Sequence, residues 1–343
     1  MHSTIHNLIP VGFDVTGIDS DTTVTNPEIW AKRVLREHLV KGFWSRFVGP
    51  EGSGKPIIQK TELLDKAGDQ INITTTTPLT GAGQTGDARV LTGNEEALSV
   101  GSMTVIPENY AHAVRWNRRK NKKSILEFRE EARMRLREWG AEKMDDTRFS
   151  IFAQTADLNG VAYTPNTYAA GGGSSPDVPG DVAAGDHIDV AELQKIKLAL
   201  VNAKAKPVNS EDGLPFYFLV MHPNCAYNLK QDTRYEQWVR EAMRRGERNP
   251  LFTGALAVVD GMVLYEHPNV PTAADGAGSI AVARNIAFGA EAFLEGVDEN
   301  AHWAEEDFDY GREFGIAYEF AFQPRRALAL SSLLVYADAV DVV

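Results

Sequence analysis

Residues 71–116, INITTTTPLTGAGQTGDARVLTGNEEALSVGSMTVIPENYAHAVRW, limit the fold more than any other stretch of this 343-residue chain. The two ends have strand character, around residues 71–77 and 103–116, where Thr, Ile and Val favour extended backbone. Between them, residues 78–101 hold five glycines and almost no large apolar side chain. Such a stretch cannot bury enough apolar area to offset the entropy of ordering it. More than about 15 residues of this kind are uncommon inside a compact domain unless they have a function of their own. The pattern predicts one long two-stranded ribbon without a core. A ribbon of that kind must lie on something else, and another subunit is a candidate.

Just upstream, GPEGSGKP (residues 49–56) comes within one residue of the phosphate-binding loop G-x-x-x-x-G-K-[ST]. That loop cradles phosphate with backbone N–H groups, and its Ser or Thr hydroxyl holds Mg²⁺. Pro56 supplies neither a hydroxyl nor an N–H, and it biases Lys55 away from helical backbone. The motif also needs a strand before it and a helix after it. Here residues 26–47 read as a helix, with Ile29, Trp30, Val34, Leu35, Leu39 and Phe43 apolar, and residues 56–69 show no helix start. The segment reads as a glycine-rich joint.

Net charge of −12 argues against a surface devoted to nucleic acid. The single cysteine, Cys225, excludes an internal disulfide framework and suits a reducing compartment. The N-terminus lacks a basic region followed by a long apolar run, and no stretch reaches the ~20 apolar residues of a membrane helix. The expectation is a soluble protein of the cytoplasm in which it is made, with no membrane contact.

Along the chain, residues 1–25 read as a polar, unpacked arm. Residues 124–153 read as a long helix opened by a capping box, Ser124-x-x-Glu127, with Ile125, Phe128, Ala132, Leu136 and Trp139 on a narrow stripe. At ~1.5 Å per residue its length is roughly 43 Å, with Gly140 as the weakest point. Glu131 and Arg135 add an i,i+4 pair. Residues 159–185, rich in Gly, Pro and Ser, read as a mobile surface loop. Regular α+β structure follows. Asp189-x-x-Glu192 caps a helix carrying Val190, Leu193, Ile196, Leu200 and Val201, FYFLVMHP (216–223) is a buried strand, and a polar helix covers 226–244. Asp260-Gly261 between two apolar runs is a hairpin signal. Residues 305–324 alternate Phe308, Tyr310, Phe314, Ile316, Tyr318, Phe320 and Phe322 as one long half-buried strand, with a register break near Gly311–Arg312. ALALSSLLVYA (327–337) is a buried strand.

Catalytic chemistry finds no constellation. The eight histidines are scattered, there is no H-E-x-x-H, C-x-x-C or G-x-S-x-G, and His222-Pro-Asn-Cys225 reads as a turn with a buried thiol. The pairs Glu95-Glu96, Glu130-Glu131 and Glu305-Glu306 sit in polar contexts that suit solvated faces. No cofactor, metal or catalytic residue is assigned. Two charge clusters do stand out. RWNRRKNKK (115–123) has six positive charges in nine residues, and residues 291–313 hold nine acidic residues against one basic. Opposite local charges on one acidic chain favour contact between copies, with a nucleic-acid patch as the alternative. The candidate inter-subunit contacts are Arg118, Arg119, Lys120, Lys122 and Lys123 on one side and Glu305, Glu306, Asp307 and Asp309 on the other.

The order of segments resembles the major capsid proteins of tailed bacteriophages, and several stretches are similar to the branch found in N4-like podoviruses. They are QKTELLDKAGDQI (59–71), PLTGAGQTGD (78–87), LTGNEEAL (91–98), MHP (221–223) and RGERNPLFTGALAVVDGMVL (245–264). The resemblance runs from about residue 26 to near the C-terminus and leaves out residues 1–25 and 165–186. It implies an α+β fold with an N-terminal arm (1–70) and an extended loop (71–116). A peripheral domain with a long spine helix (117–158 and 301–326) and an axial domain (159–300 and 327–343, with a Gly-rich insertion at 165–186) complete it. It further implies a structural protein rather than an enzyme, self-assembling into hexamers and pentamers of an icosahedral shell around double-stranded DNA. The implied partners are other copies, a separate scaffold protein, a portal, decoration proteins, and packaged DNA by non-specific contact. The implied location is the virion, after assembly in the host bacterial cytoplasm. Two alternatives remain open: an encapsulin-type nanocompartment shell, and a P-loop-like NTPase or DNA-binding protein.

Overall fold

Where each apolar run is buried follows from the order of elements. A computed structural model describes residues 42–62, 70–76, 79, 81, 83, 85, 90, 92–93, 95–98, 100–123, 127–154, 166–173, 177–209, 215–242, 257–327 and 331–339. The expected arm and most of the helix over 26–47 lie outside the described residues; of that helix, residues 42–47 are described, and only Trp44–Phe47 are helical, as one 3₁₀ turn. Strands β1 (Val48–Gly49), β2 (Ile57–Lys60), β3 (Ile71–Thr76), β4 (Val100–Val105) and β5 (Glu108–Asn117) come next, then helices α1 (Arg118–Lys123) and α2 (Phe128–Phe152). After β6 (Asn166–Ala169) come α3 (Val190–Asn202), β7 (Val208–Asn209), β8 (Pro215–Met221), α4 (Pro223–Lys230) and α5 (Thr233–Ala242). The chain continues through β9 (Ala257–Val259), β10 (Met262–Glu266), β11 (Thr272–Ala273) and β12 (Val282–Phe288). It ends with β13 (Phe293–Phe308), β14 (Glu313–Arg326) and β15 (Ser332–Asp338).

The larger sheet runs β6-β15-β12-β8-β10-β9, with β7 on β8 and β11 on β12. Its central strands are apolar at nearly every position because both faces are covered. Leu219, Met221, Leu333 and Val335 pack against Val190, Leu193, Ile196 and Leu200 of α3 and Ala226 and Leu229 of α4. Phe218, Val220, Leu334 and Tyr336 face the other way, toward Trp44, Phe47, Phe149, Phe152 and Phe293. Asp189 caps α3 by accepting the Glu192 N–H at 2.7 Å. Val201, expected on the buried stripe, is instead 49% exposed, because the stripe ends at Leu200. The hairpin at Asp260-Gly261 forms with φ of 48° and 77°, the paired positive values that a two-residue turn requires. The polar helix expected over 226–244 is two helices, α4 and α5.

The second sheet runs β1-β2-β13-β14-β5. Here the structure departs from the sequence reading in three ways. Residues 305–324 are not one strand with a register break but the two arms of a hairpin, β13 and β14, paired from Phe293↔Arg326 to Phe308↔Glu313. The aromatic alternation continues across the turn, which hid it, while Asp309, Tyr310 and Gly311 take φ of 49°, 55° and 76° to reverse the chain. The ribbon is also shorter than expected. β3 and β4 pair from Ile71↔Val105 to Thr76↔Val100, and β5 leaves them after Ile106-Pro107 to pair with β14. Third, the Gly-rich excursion is not all surface loop: β6 pairs in parallel with β15, and Ala169, Ala170 and Val182 are buried.

The root of the ribbon is buried and its far part is not. Ile71 and Val105 pack on Leu294, while Leu79, Val90, Leu98 and Val100 are each about 60% exposed. Helix α2 starts at Phe128, and Glu127 occupies its N-cap without a side-chain hydrogen bond. The expected capping Ser124 lies outside the described residues. Glu131 and Arg135 do pair, at 3.3 Å. Ala132 and Leu136 pack on Ile316, Tyr318, Phe320 and Phe322 of β14.

Gly140, expected to be the weak point of α2, is where the helix approaches the hairpin most closely: a Cβ there would collide with Tyr318 Cε1. In an exposed helix, Gly→Ala is favourable by about 1 kcal/mol. Gly140→Ala is expected to destabilise the subunit by ~1–3 kcal/mol through overpacking. Chemical denaturation would read the difference, and an unchanged or raised midpoint would contradict the close approach.

His267 gives a pH dependence. It is 6% exposed and stacked on Phe149 with ring centroids 4.7 Å apart. Burial pushes its pKa below the usual 6.5; Asp145 and Asp146 oppose the shift and Arg46 adds to it. The unfolded chain therefore takes up this proton before the folded one. The contribution of His267 to stability is complete above pH 6.5 and is lost as pH falls from there through the folded value. His267→Phe should flatten stability against pH below about 6.5. An equal slope in both proteins would remove His267 as the cause.

Candidate functional site

The candidate residues meet at one end of the long hairpin. The turn between β13 and β14 lies beside α1, whose start is fixed by the Arg118 N–H donating to the Arg312 carbonyl at 2.9 Å. Tyr310, at the apex, is fully exposed. Arg118, Arg119, Lys120, Lys122 and Lys123 all lie exposed on α1, and none makes an ion pair among the described residues. The six-residue helix was not anticipated in a run read only for charge.

The acidic candidates are placed differently from one another. Glu305 sits between two arginines of α2: Arg129 reaches it at 2.6 Å and Arg133 at 2.7 Å. The hydrogen bond from Arg129 holds the Glu305 carboxyl below the usual carboxylate range; desolvation opposes it, and Arg133 adds to the lowering. Asp309 pairs with Arg312 at 3.3 Å inside the turn. Glu306 and Asp307 are exposed without an ion pair among the described residues. Nearby, Arg115 pairs with Glu313 at 2.5 Å and lies 4.3 Å from the Phe308 ring centroid. The cations of α1 and the carboxylates of β13 and its turn are thus close in the fold, but two of the four carboxylates are already held within the chain.

Sequence reasoning missed the strongest charged constellation. Arg148 of α2, 6% exposed, donates through Nε and Nη2 to both oxygens of Glu295 of β13, each at 3.0 Å. Asp145, one turn earlier, accepts from Arg148 at 3.4 Å, from the Trp44 N–H at 3.3 Å and from the Phe43 N–H. The signal was present: Asp145, Arg148, Phe149 and Phe152 fall at i, i+3, i+4 and i+7, so two charges occupy the apolar stripe itself.

Among the described residues, sites for other chemistry are not assembled. The glycine-rich joint links β1 to β2, which pair in parallel, so a strand stands where a phosphate loop needs a helix. Lys55 there donates to the Arg46 carbonyl at 3.4 Å. Cys225 is fully buried in α4, and burial pushes its thiol up to about 12, out of the range of a nucleophile. Among the described residues no group of three or more His, Cys, Asp or Glu could hold a metal. A cleft of about 440 Å³ lies beside Phe149, Asn269, Pro271 and Arg284. Its charged groups are engaged, Asp146 with Asn269 and Arg284 with Asp275.

With this geometry in place, comparison with known proteins is direct. The family described as phage capsid protein matches residues 28–325. The chain is 29% identical over 330 residues to a major capsid protein of Pseudomonas phage KPP25, spanning 84% of this chain and 86% of that one. Among solved structures, the capsid of Ralstonia phage GP4 superposes with a TM-score of 0.76 at 23% identity, over 96% of this chain and 99% of the other. The capsid asymmetric unit of cyanophage Pam1 gives 0.79 at 17% identity, over 94% and 100%. At such identities the likeness is one of fold, and it is the fold expected from the sequence.

Removing one partner of the buried pair leaves an uncompensated charge. Arg148→Met is expected to cost about 3–5 kcal/mol. Adding Glu295→Leu should recover much of that loss, because the stranded carboxylate goes with it. Denaturation of the single and double variants measures both, and additive losses would show that the two side chains do not act as a pair.

Proposed function

The chain belongs to the phage capsid protein family, and from that premise we propose that it is the major capsid protein of a tailed phage. Copies assemble into hexamers and pentamers of an icosahedral shell that encloses the double-stranded DNA genome. The observation that carries this reading is the end-to-end match in fold, nearly the whole of this chain against nearly the whole of two capsid subunits. The ribbon supports it independently. Its exposed Leu79, Leu98 and Val100 have no cover in the single subunit, which suits a segment completed by a neighbour.

In this assignment residues 71–105 are the extended loop, and β5 joins α1, α2 and the β13–β14 hairpin in the peripheral domain. The larger sheet with α3 to α5 is the axial domain. The cations of α1 meet carboxylates of a neighbouring copy, since a chain of net charge −12 must bring opposite charges together to pack against itself. A scaffold protein, a portal and decoration proteins are further partners. Assembly takes place in the bacterial cytoplasm, and the mature protein resides in the virion. The work of such a protein is mechanical, and no residue is assigned to catalysis.

Deleting residues 78–101 separates folding from assembly. The shortened subunit is expected to keep its far-UV spectrum and to melt close to the intact chain, while large particles disappear from sedimentation and electron micrographs. A deleted chain that still closes normal shells would overturn the role given to the ribbon.

A further inference from the structure

The smaller sheet ends in an unusual edge. β5 pairs with β14 along its full length, from Glu108↔Phe322 to Asn117↔Glu313, with no register shift. Among the described residues nothing pairs with its other side. The other edges of the two larger sheets are short or blunted. β9 has three residues and β6 four, while β13 beyond Gly296 carries two register shifts and the carboxylates of Glu305, Glu306 and Asp307. Those are the devices by which proteins close an edge to other chains. β5 is long and regular, and its charged side chains, Glu108 and Arg115, sit only toward its two ends. It contains no proline or bulge, and it exposes the small side chains of Ala111 and Ala113.

β4 is the complementary case. It pairs with β3 over six residues and has an unpaired second side among the described residues. With Gly101 and Ser102 exposed, it has little side-chain area to bury, so what it can offer a partner is backbone N–H and C=O groups. Strand addition uses those groups.

We propose that β4 of one copy adds antiparallel to the free edge of β5 in a neighbouring copy, which brings Glu95 and Glu96 against α1 of that neighbour. This rests on the shell reading and specifies where the ribbon is seated. Antiparallel pairing sets the residues before Val100 beside the residues after Asn117. The carboxylates of Glu95 and Glu96 then face Arg118, Arg119, Lys120, Lys122 and Lys123, which have no ion pair within the described chain. Parallel pairing would carry the same carboxylates to the opposite end of β5, next to Glu108. The arrangement with the better hydrogen-bond geometry and the arrangement with complementary charge are therefore the same one.

Engineered cysteines test the seat, and the background is silent because Cys225 is buried with its thiol pushed up to about 12. Ser102→Cys or Thr104→Cys is combined with Ala111→Cys or Ala113→Cys, and assembled particles are exposed to a mild oxidant. Cross-strand neighbours lie about 4.5–5.5 Å apart at Cβ, within small adjustments of disulfide range, and the four combinations sample three registers, including the one that sets Val100 opposite Asn117. The expected result is an inter-subunit disulfide in particles and none in unassembled subunits. Glu95→Lys with Glu96→Lys should lower the crosslinking rate roughly tenfold. Adding Arg118→Glu, Arg119→Glu and Lys120→Glu should restore it. Normal particles in which no combination crosslinks would overturn the proposal. So would crosslinking of Ser102→Cys to Ala304→Cys or Ala317→Cys, which would seat the ribbon on the sheet face. A basic-cluster variant that crosslinks normally but packages DNA poorly would assign α1 to the genome. If the unaltered chain forms no particles at all, the shell reading itself fails and the seat fails with it.

Discussion

Arg148 and Glu295 meet in a place from which water is excluded, and three parts of the chain depend on that meeting. Arg148 lies near the C-terminal end of α2, Glu295 near the start of the long hairpin, and Asp145 reaches from α2 to the Phe43 and Trp44 amides. The entering chain, the helix and the hairpin are thereby fixed to one another at a point where the aromatic core of the larger sheet begins. A buried ion pair is weak evidence of stability, since well-packed apolar groups often serve as well. Its geometry is more demanding than theirs. A fork-shaped guanidinium bound through two nitrogens admits one relative orientation of helix and strand, whereas greasy side chains tolerate sliding. For a subunit whose neighbours must all fit the same shape, that restriction is the more useful property.

Legibility in the sequence follows the range of the interaction that decides each element. The turn at Asp260-Gly261, the Asp189 cap and the failure of the phosphate motif at Pro56 are local, and the residues alone settle them. The strands β8 and β15 were legible because burial on both faces leaves a continuous apolar run. The hairpin turn at Asp309–Arg312 was not. Its aromatic alternation runs on through the reversal, and only the partner strand distinguishes a bent strand from two. The second half of the ribbon was misplaced for the same reason: nothing in β5 says that it pairs with β14, about 200 residues later in the chain. Of the candidate site, the basic run was legible and so was its acidic counterpart. That Glu305 is already held by Arg129 and Arg133 was not, because it depends on how α2 packs against the hairpin, far along the chain.

Gly140 and Gly296 show how close approach is encoded by what is missing. Gly140 lets α2 settle on Tyr318, and Gly296 leaves room for Ile71 and Val105 at the root of the ribbon. Neither glycine needs an unusual backbone angle, so neither is marked by turn chemistry. In both cases the information lies in the neighbour that would collide with a Cβ.

The charge distribution then bears on how such a subunit can be both stable alone and competent to assemble. Carboxylates placed where the fold can reach them, Glu295, Glu305 and Glu313, are matched in cis by Arg148, Arg129 with Arg133, and Arg115. Among the described residues the cations of α1 are not matched in this way. Satisfying them internally would have stabilised the monomer by only ~0–1 kcal/mol per exposed pair. In the proposed shell each such contact would be repeated at every equivalent interface, so small terms would accumulate where a single chain gains almost nothing. The same reasoning applies to the ribbon, whose exposed leucines and valines are a liability in an isolated subunit. Stability and assembly are therefore linked by mass action: a partner that binds only the folded subunit draws the equilibrium toward it. The buried ion pair sets the shape, and the groups left unsatisfied on the outside give that shape a reason to associate.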